Sequence, residues 1–591
     1  MHAAGMGSGK DYILGRPFPL PKSFLLVKSV MVCSMRRNGR WRETLYLCSK
    51  LPLDINLCSY YCFKCQDTFS GERSKGKEVL DMLIISLIRR RMCIATAFTL
   101  LALTLSLVFA PSSRVLALAA GEQLTQISSD PFTNDTSQHK TEVEPDTLAF
   151  GNTIVSAFQV GRFFNGGASD IGFATSTDGG EAWSRGFLPG LTIFTGGTYD
   201  RTSDPSVAFD ARHNVWMVSS LGIHALNGSV ISVDVVVSRS TDGGLTWGPP
   251  VVVDNAGTTS GAFLDKNWTV CDDTASSPFY GHCYTEFDNF SSINLVQMST
   301  STDGGRHWLS PKTTPDKACV IGGQPLVQPN GTVIVPIDDC FETAVLSFRS
   351  TNGGKSWSKV VLAAQILSSL VSGNLRTGPL PSAEMDRSGK LYVVWQDCRF
   401  EPGCSANDIV MITSSDGLHW TLPMPIPIDL IGSGVDHFIP GLAVDRTTAD
   451  ESAHLGLAFY YYPHASCTIA TCQLDIGFVS STNSGNSWSS KEQLAGPMKV
   501  TWLADTSQGL MVGDYISTSF VPGDDEATPV FAVAQPPTGA SRCGLLPVVC
   551  HEAMFTTPED LLQIGGGTNV LSNGPTYSPS QHPALIRHST F

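Results

Sequence analysis

The chain has 591 residues, 42% of them apolar and only 16% charged, with 55 Gly and 35 Pro. So low a charged fraction excludes a coiled coil or a charged disordered chain, and the Gly and Pro content fits a turn-rich β protein. The formal charge of −14 is uneven: residues 1–91 hold 16 Lys+Arg against 7 Asp+Glu, which leaves −23 on residues 92–591. An acidic body of that size repels phosphate backbones, so nucleic acid is excluded as a partner.

In chain order, the first feature is Arg89-Arg90-Arg91, followed by Met92, an uncharged run from Ile94 to Ala110, and Ala117-Leu118-Ala119. A basic region, an apolar stretch and an A-x-A site are the three parts of a secretory signal peptide. Residues 92–119 are therefore expected to be a signal peptide, and residues 1–91 an extension of the gene model, unstructured or cytoplasmic. The competing reading makes the apolar segment 92–110 a transmembrane anchor, long enough to span. The mature protein is then expected to be secreted, or membrane-anchored if the segment is not cleaved, with no span of its own and a monomer. Cys62-x-x-Cys65 is one pair without a spaced second pair, too little for a zinc site.

Ten of the 16 cysteines follow residue 93, as sequence neighbours: Cys271/Cys283, Cys319/Cys340, Cys398/Cys404, Cys467/Cys472 and Cys543/Cys550. Five short-range bridges are the natural expectation for an oxidising compartment. Metal binding is the lesser alternative, because histidines at ligand spacing are missing.

A repeat dominates residues 120–556. It reads Ser176-Thr-Asp178-Gly-Gly180-Glu-Ala-Trp183 and recurs at Ser240–Trp247, Ser301–Trp308, Ser350–Trp357, Ser414–Trp420 (one residue shorter) and Ser481–Trp488. The Asp or Asn accepts backbone N–H groups further along, and the adjacent Gly supplies positive φ, which is the chemistry of a hairpin turn. The indole then wedges between sheets. These Asp residues are thus structural clips rather than catalysts. Ahead of each clip a strand–turn–strand element opens at about Glu144, Asp204, Lys266, Gly323, Leu380 and Ile439, and a further opening at Gly513 has no clip. Four strands in about 60 residues, repeated, mean a propeller or an array. The expected fold is an all-β propeller of four-stranded blades, seven favoured and six as the alternative, with the clips between the outer strands. The last unit, with strands at 514–520, 528–535 and 551–556, would take its fourth strand from residues 122–127, removing exposed edges. Residues 557–591, rich in Ser, Pro, Gly and Asn, are expected to be a flexible tail.

The S-x-D-x-G-x-x-W clip resembles the Asp-box (BNR) repeat of the sialidase superfamily, over roughly residues 122–556. The resemblance implies a β-propeller and admits exo-sialidases, other glycosidases and non-catalytic propellers. In sialidases three arginines hold the sugar carboxylate, a Tyr nucleophile is activated by a Glu, and an Asp is the acid/base. Arg suits a carboxylate because its planar fork binds both oxygens. Carried onto this chain, the candidates are Arg201, Arg376 and Arg399 as clamp, Tyr515 as nucleophile, Glu384 as its base and Asp265 as acid, with Asp204 and His437 also at strand openings. The usual Phe/Tyr-Arg-Ile-Pro motif near the first blade is absent, and Arg201-Thr-Ser-Asp204-Pro205 is a poor substitute.

Two functions follow. The first is a secreted exo-acting glycoside hydrolase of sialidase type on terminal acidic sugars of glycans. The second is a non-catalytic propeller that binds glycan or protein on one face. No cofactor or catalytic metal is expected. The acidic turn Gly523-Asp524-Asp525-Glu526 offers a weak place for structural calcium and is better read as a solvated turn. Asn134, Asn227, Asn267, Asn289 and Asn330 head Asn-x-Ser/Thr sequons, which matter only in a glycosylating host.

Overall fold

A computed structural model describes residues 124–558, apart from 258–260, 262 and 524, together with the backbone of 28–37 and 40–49. The chain divides into two compact units, 1–114 and 115–591. In the first, Lys28–Arg37 and Arg40–Ser49 pair antiparallel from Lys28↔Ser49 to Arg37↔Arg40. The two residues between these strands are Asn38-Gly39, the strongest short hairpin signal. The segment 92–119, expected to be a signal peptide, and residues 559–591 of the expected tail lie outside the described residues, and no described helix is long and apolar enough to cross a membrane.

The second unit is an all-β propeller built from antiparallel sheets. Its first sheet has eight strands, running from Glu142–Phe150 through Val251–Asp254. Five smaller sheets follow, of three strands (residues 264–301), five (320–365), four (382–425), four (436–499) and four (517–556 with Thr125–Gln126), besides a two-stranded hairpin at 504–511. Five separate small sheets correct the expectation of seven or six independent blades. The physical reason is local: Ala168 pairs with Thr202, so the first two repeat units share one sheet instead of forming two.

The clips close as their residue types dictate. Ser176 Oγ donates to Asp178 Oδ1 (2.7 Å) and accepts Gly180 N (2.8 Å), and Asp178 Oδ1 also accepts Ala182 N (3.0 Å). The indole N–H of Trp183 returns to Gly180 O (3.0 Å). The Ser-to-Asp/Asn and Gly-to-Ser bonds recur in all six clips, with 3.3 Å and 2.9 Å in the shortened one. The second glycine does more than turn. Gly244 has φ +81°, and a Cβ there would lie 2.7 Å from Val155 Cγ2, so the clip packs directly on the preceding unit, where Thr175 Oγ1 donates to Gly244 O. The tryptophans Trp247, Trp357 and Trp488 are buried, as expected of wedges between units.

Around the axis, side chains of each inner strand bond the backbone of a neighbouring one. Asp146 Oδ2 accepts Val207 N (2.7 Å), Ser206 Oγ accepts Thr269 N (2.9 Å), Gln324 Oε1 accepts Ala383 N (2.7 Å) and Ser382 Oγ accepts Leu442 N (3.0 Å). Thr518 Oγ1 donates to Gly441 O (2.9 Å). These bonds are made by buried groups, where an orphaned polar atom would cost ~1–3 kcal/mol. The ends meet as the strand pattern implied: Thr125 and Gln126 pair with Thr556 and Phe555, so an N-terminal strand completes the last sheet. All five expected disulfides are present with the expected partners.

Candidate functional site

The inner strands do not run straight at their openings. Register shifts fall at Val143/Asp146, Ser203/Ser206, Asp265/Trp268 and Phe438/Gly441. Within these bulges Glu144, Asp204, Lys266 and Ile439 take left-handed φ of +61°, +48°, +51° and +51°. Each such residue costs ~1–2 kcal/mol of backbone strain, and bulges of this kind re-aim a side chain. Here three of the four aim charges at one another. Lys266 Nζ binds Asp514 Oδ2 and lies 3.9 Å from both Glu144 Oε1 and Asp204 Oδ2. Arg376 grips the same Asp514, with Nε on Oδ1 at 2.7 Å and Nη2 on Oδ2. Gly513 makes the approach possible: at φ +145°, a Cβ there would meet the Glu144 backbone at 2.8 Å, and the next amide, Asp514 N, donates to Glu144 Oε1 (3.2 Å).

Burial and partners split the acids. Two cations hold the Asp514 carboxyl well below the usual carboxylate range, against the upward push of burial. Burial, with the Asp204 and Asp514 charges, pushes Glu144 up to about 8. Burial, then the Asp204 charge, pushes Asp265 up to about 7. Asp265 pairs across the sheet with Asp288, a fully buried carboxyl without a hydrogen-bond partner whose pKa burial raises well above the ordinary value.

Beside this cluster a cavity opens at the axis, lined by Asp204, Lys266, Asn267, Trp268, Gln324 and Tyr515 among others. Trp268 and Tyr515 meet edge to face, with centroids 5.2 Å apart. Tyr515 is buried, donates its hydroxyl to Pro205 O (2.9 Å), and has its pKa raised well above 10 by burial and by the charges of Glu144 and Asp204. A second cavity shares Trp268, Gln324 and Ser382 with the first and continues along the inner strands to Asp146, Asp273 and Glu384.

The structure sorts the residues expected from the sequence. Tyr515 and Asp204 line the first cavity, and Arg376 reaches its wall through Asp514. Asp265 precedes Lys266 in the same bulge and feels the Asp204 charge. Glu384 lines the second cavity, where its Oε2 accepts Arg446 Nη2 (3.2 Å). Arg201 stacks 4.0 Å over Phe163 and donates to Asn165 Oδ1 (2.7 Å) and Gly166 O (2.9 Å). Arg399 forks onto Asp397, at 2.7 Å to each oxygen. The three arginines thus share no partner. His437 is a buried, satisfied ring, 3.1 Å from Asp429 Oδ2. At the acidic turn, Asp525 pairs with His454 (3.0 Å), and among the described residues no group of three or more His, Cys, Asp or Glu is arranged to hold a metal. Sequence reasoning passed over Glu144, Lys266 and Asp514 as chemistry, although all three stand at or beside unit openings that the repeat pattern located.

A BNR repeat-like domain model matches residues 232–439, a stretch that includes four of the six clips. A sialidase from Bacteroides fragilis (strain YCH46) is 27% identical over 160 residues, covering 24% of this chain and 28% of that protein, so the chain spans little more than a quarter of its curated relative's length. Solved structures with a similar course include the Hadza microbial sialidase Hz136 (15% identity, TM-score 0.37, 60% of this chain and 66% of that one). The leech intramolecular trans-sialidase is another (14% identity, TM-score 0.39, 63% and 70%), as is a protein of unknown function from Dyadobacter fermentans DSM 18053 (14%, TM-score 0.40, 62% and 100%). With six clips closed by the same hydrogen bonds and the BNR repeat-like model lying across four of them, the chain is a β-propeller of BNR-like repeats, similar over part of its length to a sialidase.

Proposed function

We propose that this protein is an exported, exo-acting glycoside hydrolase that cleaves terminal sugars of glycans in the axial cavity. The observation that carries the reading is the pair Asp204 and Asp265 at one bulge cluster. Asp204 lines the cavity with an Oδ2 that has no hydrogen bond and lies 3.9 Å from Lys266 Nζ, and Asp265 is pushed up to about 7 by burial and by the Asp204 charge. A carboxyl group raised toward neutrality can serve as a proton donor beside a second carboxyl group. Asp265 donates its proton to the glycosidic oxygen, and the Asp204 carboxylate steadies the positive charge that grows on the departing sugar ring or takes a proton from the attacking water. Trp268 offers the aromatic face on which a sugar ring stacks. The five disulfides support export, since such bridges persist in oxidising compartments.

A second reading keeps Tyr515 as nucleophile, favoured by its place in the cavity wall. It requires the phenol to leave Pro205 O and to lose its proton to Glu144 or Asp204, the carboxylates that act on it most strongly. One assay separates the readings: release of chromophore from a panel of aryl glycosides, sialosides included. Asp265→Asn and Asp204→Asn are expected to lower kcat by about 10²-fold or more, and Tyr515→Phe by far less. Equal collapse in Tyr515→Phe transfers the nucleophile role to the tyrosine. Full activity in both Asp variants removes the proposal, and glycan binding without turnover on any glycoside establishes the non-catalytic propeller instead.

A further inference from the structure

We infer that the seam where the two ends of the propeller join is a ligand site of its own, for a small organic cation: a primary ammonium carried on a short aliphatic body. The inference is independent of the axial cavity and of hydrolysis. Thr125 and Gln126 pair with Thr556 and Phe555, and the chain returns to the same strand at Lys140, whose carbonyl accepts Glu552 N (2.9 Å). Between these two attachments residues 127–139 form no strand, and a cavity of about 290 Å³ opens, several times larger than either axial cavity. That volume lies near the lower end for small-molecule sites.

The wall is short of positive charge. Asp130, Glu142 and Glu552 line it against Lys140, which is exposed, and His551, whose pKa is lowered by burial and by Lys140. Asp130 is committed to the loop, accepting Phe132 N (2.9 Å) and Lys140 N (2.6 Å). The two glutamates are less well provided for. Glu552 is 0% exposed; its Oε2 accepts Ala504 N (2.8 Å), and its Oε1 has no hydrogen-bond partner. Glu142 is 2% exposed and accepts Ser128 Oγ at Oε2 (2.5 Å), while Arg185, a cation that eases its charge, donates to Ser128 O (3.1 Å). Among the described residues neither glutamate forms an ion pair. Buried acids left in this state call for a cation from outside.

The wall also selects the kind of cation. A metal ion needs several such ligands around one point, and among the described residues no three are arranged so. Val533, Ala553 and Phe555 instead give the cavity an apolar side, which suits the carbon body of an amine. Burial pushes Glu142 up to about 8 and Glu552 well above its ordinary value, so an ammonium binds as a proton leaves. Binding therefore tightens as pH rises toward 8, while an alkylamine keeps its own charge to about pH 10.

Calorimetric titration of the full chain with n-butylamine, n-butanol, Nα-acetyl-lysine amide and calcium chloride tests this. The amine is expected to bind about tenfold or more tighter than the isosteric alcohol, and about threefold tighter at pH 8.5 than at pH 6.5. Glu142→Gln and Glu552→Gln are each expected to weaken amine binding about tenfold. Lys140→Met, on the exposed rim, is expected to tighten it about twofold by removing a competing charge. If neither Gln variant folds, the amine-over-alcohol order, its pH dependence and Lys140→Met still decide. Tighter binding of the lysine derivative than of n-butylamine makes a peptide side chain the source of the ammonium, and the reverse order a free amine; both uphold the site. Binding of neither amine, alcohol bound as well as amine, calcium bound in place of amine, or full amine affinity in both Gln variants overturns it.

Discussion

Lys266→Met is the most informative single change. It removes the ammonium that bonds Asp514 and faces Glu144 and Asp204, on a side chain only 8% exposed. Breaking a buried ion pair by deleting one partner costs about 3–5 kcal/mol, because the other charge stays buried and unpaired. Arg376 still holds Asp514 at 2.7 Å, so the lower end of that range, about 3 kcal/mol, is expected. Asp514→Asn leaves both cations without their shared anion and is expected to cost about as much. The double variant removes anion and ammonium together, and its loss should fall short of the summed single losses by about 1–3 kcal/mol, the coupling of groups in one network. Urea unfolding of the four proteins followed by tryptophan fluorescence measures this. A Lys266→Met loss below about 1 kcal/mol, or losses that simply add, would refute the claim that these charges form one buried network.

The clips make a graded prediction. Gly244→Val combines left-handed strain of ~1–2 kcal/mol with overpacking of ~1–3 kcal/mol against Val155, whereas Gly243→Ala, at φ +83° with open space around it, carries the strain alone. Unfolding midpoints that rank the two the other way would contradict the packing assigned to the second glycine. Ser240→Ala strips Gly244 N of its acceptor at 3.0 Å and should cost about 1–2 kcal/mol while leaving turnover unchanged, since the clip is remote from the axial acids in role. Acidity gives the last prediction. Glu142 and Glu144 are raised from 4.5 to about 8, and Asp146 and Asp265 from 3.8 to about 7, chiefly by burial. The folded state holds these protons longer than the unfolded chain, so the stabilisation is present at acid pH and lost as pH rises through 7 and 8. Melting temperature is expected to fall between pH 5.5 and 8.5, and Glu144→Gln to flatten the fall; a profile rising across that window would contradict it.

How much was legible in the sequence follows from range. A clip is closed within eight residues by its own Ser, Asp and Gly, so Ser240, Asp242 and Gly244 announce their turn without knowledge of the rest of the chain. The disulfides were legible for the same reason, each joining cysteines 5 to 21 residues apart. The site was legible only in part. Tyr515, Asp204 and Asp265 could be named as residues at strand openings, but nothing local says that Arg376 meets Asp514, 138 residues on, while Arg201 and Arg399 turn to partners of their own.

The amino-acid sequence by itself determined the tandem units, their turns and their bridges, because each depends on hydrogen bonds and chain entropy over short separations; the closing strand was read only from the strand missing in the last unit, since Thr125 and Gln126 pair with Thr556 and Phe555 at the far end of the propeller. The tertiary structure alone decided that two units share a sheet through Ala168 and Thr202, and that Lys266 stands among Glu144, Asp204 and Asp514. Those residues come from units up to 370 positions apart, and only closure of the ring brings them to a common axis, where burial and one another's charges set which acids keep their protons.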